Sequence, residues 1–183
     1  MKTITRILML FTVVLFGACL GEEGPMGPSG EDGINIVGTV YEINGNFTSA
    51  NDYSLYYKFP QNLVDGDIVM VYVLWEQVSN GKGGMLDVWR ALPQTTFLSG
   101  GALQYNFDYT VGDVKVYLDG DIDRTTLPSA DTNNQIFRIA VIPADLAINK
   151  SIDLKNLGVV MGALKLSPGQ IKNVSAVAPT LTK

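Results

Sequence analysis

From Ile34 onward, short runs of β-branched and aromatic residues alternate with turn signals, and this pattern continues almost to the end of the chain. Glycine, asparagine and aspartate favour the backbone conformations of tight turns, so each signal predicts a connection between two strands. About seven short strands with turns at roughly 10- to 20-residue intervals predict a mainly β protein, specifically an antiparallel β-sandwich, immunoglobulin-like or jelly-roll-like. The turn signals are Asn44-Gly45, Asp65-Gly66, Asn80-Gly81, Ser99-Gly100-Gly101, Gly112-Asp113 and Asp119-Gly120.

Alternation within the predicted strands indicates which side chains face solvent. In residues 53–59 the odd positions are apolar or aromatic, so Tyr56 points outward. In residues 113–119 the even positions are apolar, so Tyr117 points outward as well. Residues 68–75 are apolar throughout, which is typical of a central strand covered on both faces or of a strand that crosses between layers.

The remaining predicted strands are residues 34–43, 85–98, 103–110 and 136–142, the last of which is the final clear strand. Residues 85–98 are expected to break into two segments at Pro93, because proline cannot donate to a central ladder. Beyond them the spacing becomes helical, at Leu154, Leu157, Met161 and Leu164. This stripe predicts a short C-terminal helical segment. Ser167 followed by Pro168 has the form of an N-cap and a first-turn proline, which predicts one further helical turn.

The N-terminus follows a different pattern. An apolar run over residues 7–16 lies behind Lys2 and Arg6 and is followed by two small residues and Cys19, the only cysteine of the chain. This arrangement predicts a lipoprotein signal peptide over residues 1–18 and lipidation of Cys19. The run is shorter than the roughly 20 apolar residues that span a bilayer, so the membrane would be reached through the lipid.

Glycine then recurs at every third position from 21 to 33, which gives four G-X-Y triplets with Pro25 and Pro28 in X positions. Four triplets supply roughly four interchain hydrogen bonds per strand at about 1 kcal/mol each. Association costs about 4–15 kcal/mol, so a homotrimer stays open but the triplets would not drive it. Residues 19–33 are interpreted as an extended linker that carries the domain at 34–183 away from the membrane.

Composition excludes several classes of function. Without Lys2 and Arg6, 11 of the 13 basic residues remain against 18 acidic ones, and binding of nucleic acid requires clusters of Lys and Arg. The chain has no histidine, and the anchor would use its one thiol. Ser-His-Asp and Cys-His nucleophile systems and His-ligated zinc are therefore excluded. We predict a protein that is not an enzyme and has no nucleic-acid partner.

Three aspartates, Asp119, Asp121 and Asp123, stand at alternate positions, as at the start of a calcium-binding loop. The pattern of an EF-hand is not completed, because Arg124 stands where glycine is needed and Ala130 where the bidentate glutamate belongs. A weak calcium site at the three aspartates stays a hypothesis, and a solvated turn is the alternative. No other cofactor is expected.

Aromatic residues are the strongest candidates for ligand binding, because sugars stack on exposed rings beside hydrogen-bonding side chains. Alternation places Tyr56 and Tyr117 outward and sets Trp89 on the same side of its strand as Asp87. We hypothesise that Tyr56, Asp87, Trp89 and Tyr117 form a patch for a glycan or protein ligand. In the alternative interpretation these rings belong to the partly buried core or rim of the sandwich.

Several segments resemble Bacteroidota collagen-like lipoproteins of unknown function with a β-sandwich domain. The matching features are the lipobox, the triplet run and the segments I-N-I-V-G-T-V-Y-E-I (34–43), D-V-W-R-A-L-P-Q-T (87–95), L-Q-Y-N-F-D-Y-T (103–110) and I-F-R-I-A-V-I-P (136–143). This group has no known activity, cofactor or site, so the resemblance implies architecture and placement only.

The acidic pair Glu22 and Glu23, close behind Cys19, resembles the signal that sends Bacteroidota lipoproteins to the outer face of the outer membrane. It predicts a lipid anchor in the outer membrane with the domain at the cell surface, and the periplasmic face is the alternative. Glu22 and Glu23 are also simply the X and Y residues of the first triplet.

The leading functional interpretation is a lipid-anchored cell-envelope protein that displays a non-enzymatic β-sandwich domain for surface structure or binding. The alternative is a glycan-binding lipoprotein of an outer-membrane uptake system, and the third candidate is a hydrolase that uses a pair of carboxylates. An exposed aromatic platform would favour glycan binding, whereas two carboxylates that converge in a deep pocket would favour the hydrolase.

Overall fold

A computed structural model of the chain describes residues 38–149 and 151–177. All of them belong to the unit Ile34–Lys183, one of two into which the chain divides. The predicted signal peptide, Cys19 and the glycine-triplet linker lie outside the described residues, so the predictions made for them stay predictions. Within the described ranges, no helix has the length and apolar character that crossing a membrane requires.

The described residues form a β-sandwich, as the alternation pattern predicts. A five-stranded sheet in the order β4-β3-β8-β1-β9 packs on a four-stranded sheet in the order β2-β7-β6-β5. The strands are β1 (Thr39–Gly45), β2 (Ser54–Lys58), β3 (Ile68–Ser79), β4 (Met85–Ala91), β5 (Gln94–Leu98), β6 (Gly101–Tyr109), β7 (Asp113–Gly120), β8 (Gln135–Ile142) and β9 (Lys172–Ser175).

Short helices occupy the connections around β8 and β9. They are α1 (Ser129–Thr132), α2 (Ala144–Asn149) and α3 (Leu157–Ala163), with 3-10 turns at Ser49–Asn51, Arg124–Thr126 and Pro168–Gln170. The predicted C-terminal helical segment is confirmed: Leu157 and Met161 are buried in α3, and Leu164 packs at its end. Ser167 precedes Pro168 as the N-cap, and its backbone N–H donates to the Gln170 side-chain oxygen at 2.9 Å.

Two hydrophobic cores result from this layering. The first lies between the sheets and includes Val71, Tyr105 and Phe137. The second lies on the outer face of the five-stranded sheet, where Tyr72 and Ile142 meet the apolar side of α3. Because β3 and β8 contribute to both cores, apolar residues occur in both of their alternating sets. This double burial explains the uninterrupted apolar run that begins at residue 68.

Pro93 separates β4 from β5 as predicted, and the two strands join different sheets. The strand β9 was not predicted, so 136–142 is not the final strand. Its sequence has a single apolar residue, Val174, which leaves no alternation to detect. It pairs in parallel with β1, from Tyr41 opposite Lys172 onward, so the sandwich is antiparallel except at this edge. The long connection through α2 and α3 carries the chain from β8 past β1 to this edge of the sheet.

Candidate functional site

The structure divides the predicted aromatic patch between two surfaces. Tyr56 on β2 and Tyr117 on β7 lie in the four-stranded sheet, whereas Asp87 and Trp89 on β4 lie in the five-stranded sheet. The hypothesis of one patch is therefore corrected to two separate places. Alternation reports which way a side chain points from its own strand, but it does not report which sheet the strand joins.

On the four-stranded sheet, Lys115 contacts both predicted tyrosines. Its ammonium group lies 4.7 Å from the centroid of the Tyr117 ring and 5.8 Å from that of Tyr56. Tyr56 pairs directly with Lys115 across the strands, and all three side chains are half-buried. Cation–π contacts of this kind contribute about 0.5–1 kcal/mol each at exposed sites, so Lys115 stabilises the rings where they lie on this face.

On the five-stranded sheet, Trp89 lies between two adjoining clefts. The first cleft has a volume of about 520 Å³ and is lined by Asp87, Trp89, Arg138, Asp153, Lys155, Asn156, Leu157, Gly158 and Met161. The second cleft has a volume of about 540 Å³ and is lined by Met70, Trp89, Arg90, Ala91, Leu92, Pro93, Gln94 and Lys155. Trp89 and Lys155 line both clefts, and each volume lies in the range typical of ligand pockets.

The pairing of β3 with β4 sets the direction of the Trp89 side chain. Trp89 pairs with Leu74 and Ala91 pairs with Tyr72, so Trp89 faces the second core and the clefts. Asp87 lies two residues before Trp89 and therefore on the same side, as the spacing predicts. The Asp87 carboxylate accepts a hydrogen bond from the Gln77 side-chain amide at 2.8 Å.

Arg138 and Glu42 fix the Trp89 ring from the other side of β3. The Arg138 guanidinium carbon lies 4.0 Å from the centroid of the Trp89 ring, and its Nε donates to the Glu42 carboxylate at 2.8 Å. The two charged side chains are only 16% and 26% exposed. Partial burial reduces screening by water, so this ion pair orders Arg138 and, through the stacking contact, Trp89. Sequence analysis did not assign a role to Arg138, although a charged residue inside an apolar strand was the available signal.

The segment that leads into α3 forms a wall of both clefts. The Tyr72 hydroxyl donates to the Leu154 carbonyl oxygen at 2.6 Å, which ties this segment to the sheet. Burial raises the pKa of Tyr72, with the Asp153 carboxylate as the second cause, so the hydroxyl keeps its proton and remains a donor. The Asn156 side chain accepts from the Val159 backbone N–H at 3.2 Å and begins α3. Asp153 and Lys155 are thereby held at the mouth of the clefts.

Two carboxylates, Asp87 and Asp153, line the first cleft, and both are exposed. A carboxyl group that serves as general acid near neutral pH needs burial or a like-charged neighbour to keep its proton. Exposed carboxylates are instead suited to accept hydrogen bonds from the hydroxyl groups of a ligand. Asp87, Asp153 and Lys155 make no ion pair within the described residues.

The three aspartates of the calcium hypothesis accept hydrogen bonds from other residues of the protein. Asp119 accepts from the Gly120 N–H at 2.8 Å, and Asp121 accepts from the Ala102 N–H at 2.6 Å. Asp123 accepts from the N–H and the hydroxyl of Thr125 at 2.9 and 2.8 Å. Throughout the described part of the chain, no three side chains of the metal-ligating types gather at one point. The structure therefore does not bring Asp119, Asp121 and Asp123 together as a calcium site.

Arg138, Asp153 and Lys155 are the charged residues of the first cleft that sequence reasoning missed. They come from β8 and from the segment before α3, far from Trp89 in the chain, and only the packing of that segment on the sheet brings them to it. Comparison of the chain with protein-family models, with curated proteins and with solved structures finds no match.

Proposed function

We propose that this chain is a lipid-anchored cell-envelope protein whose β-sandwich is a non-enzymatic binding domain, with its ligand site at the two clefts beside Trp89. The observation that carries the proposal is the Trp89 ring, which stands between two clefts of ligand-pocket size and is oriented by Arg138 and Glu42. A ring held in place before binding loses little freedom when a ligand stacks on it.

A glycan is the class of ligand that these groups fit best. Sugars present apolar ring faces that pack on an aromatic side chain and hydroxyl groups around their rims. Beside Trp89, the exposed carboxylates of Asp87 and Asp153 are acceptors for such hydroxyl groups. These features favour a glycan-binding lipoprotein over a protein of purely structural display. The exposure of both carboxylates favours binding over hydrolysis.

Placement at the outer membrane rests on the sequence around Cys19. The apolar run and the small residues before Cys19 support lipidation, and the acidic pair Glu22 and Glu23 supports export to the cell surface. Cys19→Ser is expected to move the protein from the membrane fraction to the soluble fraction, because no other segment is expected to hold it. Retention of the variant in membranes after a high-salt wash would contradict the anchor.

The binding proposal is tested on the mature chain carrying Cys19→Ser, applied to a glycan array. Trp89→Ala is expected to abolish binding, whereas Phe97→Ala is expected to preserve it. Phe97 is a matched control because it is 84% exposed on β5, in the other sheet. An array without any bound glycan, or binding that survives Trp89→Ala, would overturn the proposed site.

A further inference from the structure

The two clefts beside Trp89 differ in charge. Asp87 and Asp153 line the first cleft, whereas no carboxylate is found among the described residues that line the second. The charged residues of the second cleft are Arg90 and Lys155, and its remaining lining is apolar apart from Gln94. The first cleft also holds Arg138 and Lys155, so a ligand that extends past Trp89 on both sides meets carboxylates and cations on one side and only cations on the other.

Of the cations at the two clefts, Lys155 is the least engaged by other side chains. Arg138 is engaged by Glu42 and by Trp89. Arg90 has its guanidinium nitrogen 3.8 Å from a Glu76 carboxylate oxygen and its guanidinium carbon 4.3 Å from the centroid of the Trp75 ring. Lys155 is exposed and has no carboxylate partner within the described residues.

We propose that the ligand is an acidic glycan, with a sugar carboxylate bound by Lys155 in the second cleft and hydroxyl groups of the neighbouring sugar bound by Asp87 and Asp153 in the first. This proposal rests on the glycan-binding function proposed above. It adds the charge of the ligand and the direction in which the ligand lies across Trp89. In the reverse orientation the sugar carboxylate would lie in the cleft that holds Asp87 and Asp153 instead of the cleft whose lining has no carboxylate, which disfavours it. The charges thus select both an acidic sugar and one direction of binding.

The Asp87 and Asp153 carboxylates retain acceptor capacity for this role. Asp87 accepts one hydrogen bond from Gln77, and Asp153 accepts one from the Lys155 backbone N–H at 3.0 Å. An ionised carboxylate has about four acceptor positions on its two oxygens, so each can also accept from a sugar hydroxyl. The same contact between Asp153 and the Lys155 backbone holds the lysine at the ridge that both clefts share.

The test uses the mature chain carrying Cys19→Ser on an array printed with uronic-acid oligosaccharides and their carboxyl-reduced counterparts. Reduction replaces the carboxylate by CH₂OH and leaves the apolar faces of the sugar ring unchanged. The acidic forms are expected to bind about tenfold more tightly than the reduced forms, the effect of one charge-assisted hydrogen bond, with Kd measured by calorimetry on the strongest acidic glycan. Lys155→Gln should abolish this preference, whereas Lys82→Gln should retain it. Lys82 is the matched control because it is exposed in the turn after β3 and lines neither cleft.

The outcomes separate the two proposals. If neutral glycans bind through Trp89 as tightly as the acidic forms, the proposed function stands and the acidic specificity is overturned. If the acidic preference survives Lys155→Gln, the assignment of the carboxylate to Lys155 is overturned. If no glycan binds, both proposals fail together. Because Lys155 is exposed, its substitution is expected to leave the thermal melting curve unchanged, which separates loss of binding from loss of fold.

Discussion

The two sheets differ in what lies on their outer faces. On the five-stranded sheet, α2 and α3 pack on Tyr72 and Ile142 and bury a second core. On the four-stranded sheet, the outer positions of β6 carry polar side chains such as Gln104 and Asn106. On the same face, Lys115 of β7 contacts the rings of Tyr56 and Tyr117. A single sheet face is nearly flat, whereas a helical layer that covers part of a face leaves concave edges. The clefts beside Trp89 are such edges, so the second layer creates the candidate site.

The largest loss of stability is expected from a substitution in the core between the sheets, compared with one on the outer face of the four-stranded sheet. Phe137 is 0% exposed and lies 5.9 Å from Phe47 between ring centroids, whereas Phe97 is 84% exposed. Phe137→Ala should lower the free energy of unfolding by about 3–5 kcal/mol, and Phe97→Ala by at most about 0.5 kcal/mol. Urea unfolding measures both values. Similar losses for the two variants would contradict this account of the core.

A smaller and local effect is expected from the second core. Met161→Ala should cost about 2 kcal/mol, the lower end for such truncations, because the helical layer can close partly over the gap. In hydrogen exchange, the amides of α3 should lose protection while those of β6 and β7 keep theirs. Leu103→Ala, in the first core, is the control and should reduce protection in both sheets. Uniform loss in the Met161 variant would show that the helical layer and the sandwich unfold as one unit.

Removal of one hydroxyl group should test how the wall of the clefts is held. Tyr72→Phe deletes the hydrogen bond to the Leu154 carbonyl and should cost about 1 kcal/mol of stability. It should also weaken glycan binding, since Asp153 and Lys155 flank Leu154. The control is Tyr56→Phe on the other sheet, for which neither change is expected. If the two variants behave alike in thermal melts and calorimetry, the Tyr72 hydrogen bond does not hold the segment that forms the wall of the clefts.

The smallest effect concerns Asp123, which lies in the connection after β7. Its hydrogen bonds from Thr125 lower the pKa of the Asp123 carboxyl below the ordinary value of 3.8. A lowered pKa in the folded state means that the carboxylate stabilises the fold above the unfolded-state pKa, and this contribution is lost as the pH falls through the folded-state pKa. Asp123→Asn should therefore melt slightly below the native protein at pH 6, and the gap should close under acidic conditions. If the difference in melting temperature is constant with pH, it does not come from the hydrogen bonds to the ionised Asp123 carboxylate.

Local patterns predicted orientation well and contacts poorly. A spacing of two residues places Asp87 and Trp89 on one side of β4, and the register of that strand agrees. The contact between Trp89 and Arg138 follows from the sheet order β4-β3-β8, which sets the two residues on either side of one strand. Lys155 comes from the segment before α3, where the stripe that begins at Leu154 predicts a helix but not the surface on which it packs. Such contacts depend on pairings between distant parts of the chain, which local spacing does not encode.

Two of the turn signals illustrate the same limit. Asn44-Gly45 and Asp119-Gly120 are the last residues of β1 and β7, and both pairs are still within their strand ladders. Gly120 has a φ of +125° and lies against the Ala102 carbonyl, where a Cβ would have no room. Glycine is required there because a neighbouring strand approaches closely. In the sequence, an Asp-Gly pair of this kind looks the same as an Asp-Gly pair in a turn.

The sequence by itself determined the secondary structure class, the inward and outward sides of most strands and the short C-terminal helical segment. It could do so because side-chain periods of two and 3.6 are properties of the backbone of each element. Its lack of histidine also leaves it without the residue that Ser-His-Asp triads and His-ligated zinc sites require. Only the tertiary structure decided that β4 and β5 join different sheets, that β9 pairs in parallel with β1, and that Lys155 stands beside Trp89. These outcomes depend on which layers bury the apolar faces together, and that choice is made by the packing of the whole domain.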